Sequence, residues 1–166
     1  MPQSARDQFT ATLGEATGAA EVFGALHRLA AAEIGVRLFS VTLIDTAAGL
    51  ARRVYTSDSA AYPLSGTKPL VENGFLATVR AGRMYHANSP REMRADFPDL
   101  AAIESLGCGA VINLPVMVAA RLAATVNLLD AAGRYDPGTA LRARQCLALP
   151  ALAAVLAAER LGPARP

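Results

Sequence analysis

The side chains of this 166-residue chain that could take part in chemistry are concentrated in its middle and in two late apolar segments. They supply phenol, hydroxyl, ammonium, imidazole, thiol and amide groups: Tyr55, Ser57, Tyr62, Lys68, Tyr85, His86, Cys108, Asn113 and Asn127. Lys68 is the only lysine in the chain. Its ammonium beside tyrosine hydroxyls suits a carboxylate or a phosphate, and the alternative is that Lys68 is simply a solvated loop residue.

Two asparagines stand in otherwise apolar runs, Asn113 in VINLPV and Asn127 in TVNLLD. A buried amide without partners costs roughly 1–3 kcal/mol, so each side chain must be hydrogen-bonded. One interpretation is that each amide bonds backbone at a bulge or a loop. The other is that both amides point into one cavity and meet a ligand or water there.

Cys108 is the best catalytic candidate, with His86 as the base that would activate it. A reactive thiolate needs a cation, a base or a helix N-terminus nearby. No spacing rule places His86 beside Cys108, and a buried cysteine also acts as a small hydrophobe. The two histidines, His27 and His86, lack metal-ligand spacing, so neither a metal site nor a cofactor is predicted.

The elements that must position these groups begin with a central hairpin. The short apolar runs 108–116 and 122–129 predict paired antiparallel strands that are buried on both faces. A period of two puts Asn113 on a face with Val111 and Pro115, and it puts Asn127 on a face with Thr125 and Leu129. The connection MVAAR lacks Gly, Asn and Pro and is a weak turn signal. Pro115 predicts an edge position, a bulge or the end of the strand.

The remaining segments alternate between helical and extended patterns. Helices are predicted at 6–13, 18–34, 70–81, in the 90–97 and 99–106 segments and from 136 or 138 onward, with a kink or restart at Pro150. Strands are predicted at 36–45, 50–57 and 83–87. In the 50–57 strand, Arg53, Tyr55 and Ser57 share a face. The Pro- and Gly-rich segment DSAAYPLSGTKPL must be a loop, and such loops often cover pockets.

Composition limits the class of protein. The length predicts one domain, with a lead-in at 1–16, a domain at 17–161 and a disordered tail at 162–166. The net charge is +2 without a basic block and aromatic residues make up 5%, so nucleic-acid binding gets no support. No apolar run approaches a bilayer's thickness, and the N-terminus lacks the apolar core of a signal peptide. Two cysteines without CxxC spacing favour a reduced cytoplasm, and no membrane partner is predicted.

The order GCGAVINLPV, a short turn, LAATVNLLD and then Tyr135 before a helix resembles the end of a GAF domain. The resemblance covers roughly residues 17–160. Ala119 and Ala120 stand where the family often has a turn glycine. The resemblance implies an α+β fold, a GAF-like α/β/α sandwich with a central antiparallel sheet of about six strands. The N- and C-terminal helices would lie on one face and a ligand pocket on the other.

The same resemblance implies a small-molecule-binding sensor or regulatory protein, with a homodimer through the terminal helices. The implied ligand-binding residues are Tyr55, Ser57, Tyr62, Lys68, Tyr85, Asn113 and Asn127. The segment NLLDAAGRYD lacks the Asn-Lys-x-Phe-Asp type motif that accompanies cyclic-nucleotide binding in the family. An alternative is a small cytoplasmic enzyme that uses Cys108 or His86 in the pocket, and a third is a purely structural dimerisation module.

Overall fold

The computed structural model describes residues 4–162, and its centre is a six-stranded antiparallel sheet with the strand order β3-β2-β1-β6-β5-β4. The predicted tail at 162–166 therefore lies outside the described residues except for Gly162. The strands are β1 (Leu38–Asp45), β2 (Leu50–Thr56), β3 (Lys68–Pro69), β4 (Tyr85–Ala87), β5 (Ala110–Val118) and β6 (Arg121–Asp130). This sheet confirms the predicted α+β class.

Six helices flank the sheet in the described part of the chain: α1 (Ala5–Glu15), α2 (Ala19–Glu33), α3 (Gly74–Arg80), α4 (Pro90–Met93), α5 (Leu100–Ser105) and α6 (Pro137–Leu161). Side-chain caps fix where several of them begin. Ser4 forms a capping box with Asp7, Asn73 caps α3, and Asp136 caps α6 through the Thr139 N–H. Helix α3 is therefore shorter than the predicted 70–81 helix, because Asn73 caps it and Lys68–Pro69 pairs with β2.

The turn of the central hairpin explains why its sequence signal was weak. Val118 pairs with Arg121, and the two residues between them, Ala119 and Ala120, have φ values of 47° and 62°. Type I′ hairpin turns need positive φ at both central positions, where Asn-Gly is preferred. Two alanines take that conformation here. Pro115 lies beyond the part of β5 that pairs with β4, at an open edge as predicted.

A bulge in β2 corrects one predicted face. Tyr55 pairs with Val41, but Arg53 pairs with Thr42, so β2 has one extra residue between them. A bulge of this kind reverses the inward and outward alternation on one side of it. As a result Arg53 and Tyr55 lie on opposite faces of the sheet, whereas simple alternation put them on the same face.

The larger core lies between the sheet and the terminal helices. Phe23 and Leu26 of α2 and Leu147 and Val155 of α6 pack there against the inward residues of β1, β5 and β6. Buried alanines of α2 and α6 allow these two helices to pack together, as predicted: Ala25, Ala30, Ala140, Ala143, Ala151 and Ala154.

Helix α6 differs from two expectations. It continues through Pro150 as one helix, so of the two predicted alternatives, a kink or a restart, the restart is wrong. Its 25 residues are also long and apolar enough, by length and composition, to cross a membrane, although no such run was expected. The packing of one side of α6 on α2 and the sheet accounts for part of this apolar character.

A polar-floored cavity on the open face of the sheet

The face of the sheet opposite α1, α2 and α6 forms the floor of a cavity of about 350 Å³. Alternate residues of β1, β5 and β6 line this floor: Ser40, Thr42, Asn113, Thr125, Asn127 and Leu129. The walls come from β2, the segment after it, α3 and the segment around α5. Among the wall residues are Arg53, Tyr62, Lys68, Asn73, Phe75, Leu76, Asp96, Phe97, Asp99 and Ile103. The cavity therefore combines a polar floor with walls that carry both apolar and charged side chains.

The floor is organised by two paired asparagines. Asn113 and Asn127 are opposite each other in the β5–β6 ladder, and the Asn113 Nδ2 donates to the Asn127 Oδ1 at 2.7 Å. The Asn127 Nδ2 in turn donates to the hydroxyls of Ser40 and Thr42 at 3.2 and 3.3 Å. The two amides thus bond side chains of the floor and lie in one cavity, which is the geometric part of the second of the two interpretations.

One polar atom of this network has no partner. Asn113 is 3% exposed, and its Oδ1 forms no hydrogen bond with the described residues. An unsatisfied buried acceptor costs about 1–3 kcal/mol, and such atoms are rare in folded proteins. The Asn113 Oδ1 is therefore ready to accept an N–H or O–H hydrogen bond from a molecule in the cavity.

One wall is held together by an arginine, a tyrosine and an aspartate. The Arg53 guanidinium carbon lies 3.6 Å from the centre of the Tyr62 ring, and its Nη1 donates to the Pro63 carbonyl at 2.8 Å. The Tyr62 hydroxyl donates to the Asp99 Oδ2 at 3.3 Å. Burial and the Asp99 carboxylate raise the pKa of Tyr62 to about 12, so the phenol stays protonated. The Arg53 Nε is buried and has no partner among the described residues.

The other wall is built around Asp96. Its carboxylate accepts from the Tyr85 hydroxyl at 2.9 Å and from the Phe75 N–H at 3.2 Å. The rings of Phe75, Tyr85 and Phe97 lie 5.7 Å apart, centre to centre. Burial and the hydrogen bond to Asp96 raise the pKa of Tyr85. A Cβ on Gly74 would lie 2.9 Å from the Asp96 Oδ1, so glycine allows the carboxylate to approach α3 closely.

The predicted binding residues are distributed unevenly around this cavity. Asn113, Asn127, Tyr62 and Lys68 all line it. Tyr85 pairs with Asn113 on the same face and supports the wall through Asp96, but it is not a lining residue.

Tyr55 and Ser57 are not brought to the cavity. Tyr55 packs against Phe23 and Phe39 on the helix side, where its hydroxyl lies 3.4 Å from the His27 Nδ1. The β2 bulge is the reason for this placement. Ser57 follows the end of β2, and its hydroxyl accepts the Phe39 N–H at 2.9 Å, so it extends the β1–β2 pairing.

The two catalytic candidates also lie outside the cavity lining. Cys108 is 2% exposed in a separate apolar cluster, and burial raises the pKa of its thiol, which disfavours the thiolate. The His86 Nε2 hydrogen-bonds the Tyr135 carbonyl. Among the hydrogen bonds of residues 4–162, none joins Cys108 to His86. The structure therefore does not assemble the thiol–imidazole pair.

Several lining residues were missed from the sequence. Ser40 and Thr42 alternate with apolar residues in β1 as the asparagines do in their strands, so their spacing was an available signal. Arg53 was not named, although simple alternation put it on the same face as Tyr55 and Ser57, two of the predicted binding residues; the bulge leaves Arg53 at the cavity and turns Tyr55 away from it. Asp96 and Asp99 come from the connection between α4 and α5, whose position over the sheet depends on tertiary packing.

Solved structures share this architecture at low sequence identity. The GAF domain of a phosphoenolpyruvate-protein phosphotransferase from Coxiella burnetii aligns with a TM-score of 0.70 at 15% identity, covering 94% of this chain and 92% of that chain. The GAF domain of a two-component sensor histidine kinase from Bacillus halodurans gives 0.67 at 8%, covering 84% and 95%. A free methionine-R-sulfoxide reductase from Neisseria meningitidis, in complex with its substrate, gives 0.65 at 16%, covering 96% and 95%.

The sequence itself matches no protein-family model and no curated protein. The structural matches nonetheless extend over most of both chains in each case, with identities below 20%. The chain therefore has the fold of GAF domains, as the order of its late strands predicted.

Proposed function

We propose that this chain is a small-molecule-binding sensory or regulatory domain whose site is the cavity above Asn113 and Asn127. The observation that carries the proposal is the buried Asn113 Oδ1, which has no partner and lies at the floor of a cavity of about 350 Å³. A purely structural amide would have been satisfied by its neighbours. A cavity of this size lies within the range of ligand sites.

The fold alone leaves the choice between sensor and enzyme open, because similar structures include both a sensor histidine kinase domain and a reductase. The cavity chemistry favours binding. Neither Cys108 nor His86 lines the cavity, and no other cysteine or histidine among the described residues does so. The enzyme alternative requires one of these two side chains there, so we prefer a sensory or regulatory role. Two free cysteines agree with the cytoplasmic location that we propose for it.

Fragment screening by protein-observed NMR tests the binding proposal. A library of small polar metabolites should shift amide signals of residues that line the cavity, with the hits lost in Asn113→Ala. Tyr55→Phe is the matched control, because it removes one polar group from the opposite face of the same sheet. Both variants should keep the dispersed spectrum of a folded protein. Hits that bind equally well to Asn113→Ala would show that the cavity floor is not the site.

We also propose that the protein forms a homodimer through its terminal helices. Leu141, Leu149 and Leu156 of α6 are exposed by 48%, 74% and 42%. Their spacing of eight and seven residues keeps them on one stripe of the helix, beside the half-buried Leu152. A contiguous apolar stripe on the surface is typical of an interaction site.

Sedimentation equilibrium tests this interface. The wild-type chain should have twice the mass of a monomer, and Leu149→Glu with Leu156→Glu should convert it to a monomer. Leu64→Glu is the control, since Leu64 is 57% exposed and does not belong to the stripe on α6. A monomeric wild-type protein at high micromolar concentration would contradict the dimer.

A further inference from the structure

We propose that the cavity selects a small organic anion, a carboxylate or a phosphate, that also donates an N–H or O–H hydrogen bond from its opposite end to the Asn113 Oδ1. This inference rests on the proposed function, since it names the chemical class that the same cavity binds. Three features of the site support it: the direction of the floor network, the pairing state of the charged lining residues and the apolar wall.

The floor network has a direction that ends in an acceptor. Asn113 uses its Nδ2 on Asn127, and Asn127 uses its Nδ2 on Ser40 and Thr42. Both amide groups are therefore oriented the same way, and the Asn113 Oδ1 is the end of the series. An acceptor at 3% exposure gains its missing bond from a donor that enters the cavity. The Asn113 Oδ1 in the floor is thus best satisfied by a ligand that carries an N–H or O–H group.

None of the four charged side chains of the lining, Arg53, Lys68, Asp96 and Asp99, belongs to an ion pair among residues 4–162. The Asp96 carboxylate accepts from Tyr85 and Phe75, and Asp99 accepts from Tyr62. Of the two cations, Arg53 donates its Nη1 to the Pro63 carbonyl, while its buried Nε–H has no acceptor among the described residues.

The guanidinium of Arg53 is fixed in place without being neutralised. The Tyr62 ring and the Pro63 carbonyl hold it, and its buried Nε–H has no acceptor. An N–H of a charged group that is buried without an acceptor is best satisfied by an anionic oxygen. Lys68, at the rim in β3, adds a second positive charge. The unpartnered Nε–H of Arg53, and not the summed charge of the lining, is therefore the feature that favours an anion over a cation.

The apolar side chains of the walls determine which chemistry suits the central part of the ligand. Phe75, Leu76, Phe97 and Ile103 line the walls of the same cavity, and Leu129 adds an apolar side chain to its floor. Apolar atoms of a bound molecule lose contact with water there. The preferred molecule is consequently small, with an apolar or aromatic body that separates its anionic group from its donor.

A balanced fragment library tests the inference. It contains matched trios on several scaffolds, such as 4-hydroxyphenylacetate, phenylacetate and tyramine, with dissociation constants measured by NMR titration. Among fragments that bind the cavity, the donor-bearing anion should bind about tenfold more tightly than its two relatives, because each relative lacks one charge-assisted or buried hydrogen bond. Cavity binders that are mainly cations, or anions whose donor makes no difference, would overturn the inference and leave the proposed function intact. A library that yields no cavity binder would overturn both.

Two arginines of the same strand provide the matched variants. Arg53→Gln should weaken 4-hydroxyphenylacetate binding about tenfold and leave neutral fragments unaffected. Arg52→Gln removes the same charge from the neighbouring position, which is exposed and does not line this cavity, and should change binding less than about twofold. Equal losses in the two variants would mean that overall charge, and not the Arg53 Nε–H, governs binding.

Discussion

The two faces of the sheet are equally buried but chemically opposite. On the helix side, Val41, Leu114, Val126 and Leu128 pack into the main core at 0–2% exposure. On the cavity side, alternate residues of the same strands are polar at 2–8% exposure: Ser40, Asn113, Thr125 and Asn127. Burial therefore does not distinguish the faces. What differs is polarity: apolar side chains form the main core on one face, and hydrogen-bonding side chains line the cavity on the other.

The largest effect on the free energy of unfolding is expected for a substitution on the helix side of the sheet. Leu128→Ala should lower the free energy of unfolding by about 2–5 kcal/mol, because it removes a fully buried side chain and leaves a cavity in the core. Thr125→Val, a nearly isosteric change at an equally buried site on the other face, should change it by less than about 1 kcal/mol. Urea denaturation measures both values. Comparable losses in the two variants would mean that both faces serve stability in the same way.

The asparagine pair gives the next largest effect. Asn127→Ala should cost about 1–3 kcal/mol, because it leaves the Asn113 Nδ2 without its acceptor. The double variant Asn113→Leu with Asn127→Leu should be less destabilised than Asn127→Ala, or more stable than wild type, since it replaces both partners and the unsatisfied oxygen.

The double variant also separates stability from function. It should fold cooperatively, as judged by its urea transition, and it should no longer bind the fragments that the wild-type cavity binds. The double variant is compared with its single variants, Asn113→Leu and Asn127→Leu. A loss of unfolding free energy in the double variant that exceeds the summed losses of the two single variants would indicate that the pair is retained for structure. The polar floor would then contribute to the stability of the fold, as the helix side does.

The sequence predicted the parts of this comparison that follow from local alternation. Two polar residues at matching places in adjacent apolar strands share a face once the strands pair, which is why a common cavity for Asn113 and Asn127 was one of the two interpretations. Alternation failed at Arg53 and Tyr55, because the β2 bulge depends on pairing with β1. The acidic residues of the wall, such as Asp96, could not be placed, since their position is fixed by packing between distant segments.

The smallest effect on the free energy of unfolding is expected at the turn that joins β5 to β6. This turn connects two strands that contribute side chains to both faces, and its own residues lie on neither face. Ala119→Asn with Ala120→Gly should raise the free energy of unfolding by about 0.5–1 kcal/mol in urea denaturation. Both alanines have positive φ, which costs an alanine about 1–2 kcal/mol, while the greater freedom of an unfolded glycine offsets part of the gain.

Ala148→Gly, at an exposed position of α6, controls for glycine itself and should lower stability by about 1 kcal/mol. The turn variant should bind cavity fragments with unchanged dissociation constants, because neither turn residue lines the cavity. A stabilised turn that altered binding would mean that the hairpin's rigidity controls the floor. In that case the two faces could not be treated as independent, because strain in the strands that they share would link stability on one side to recognition on the other.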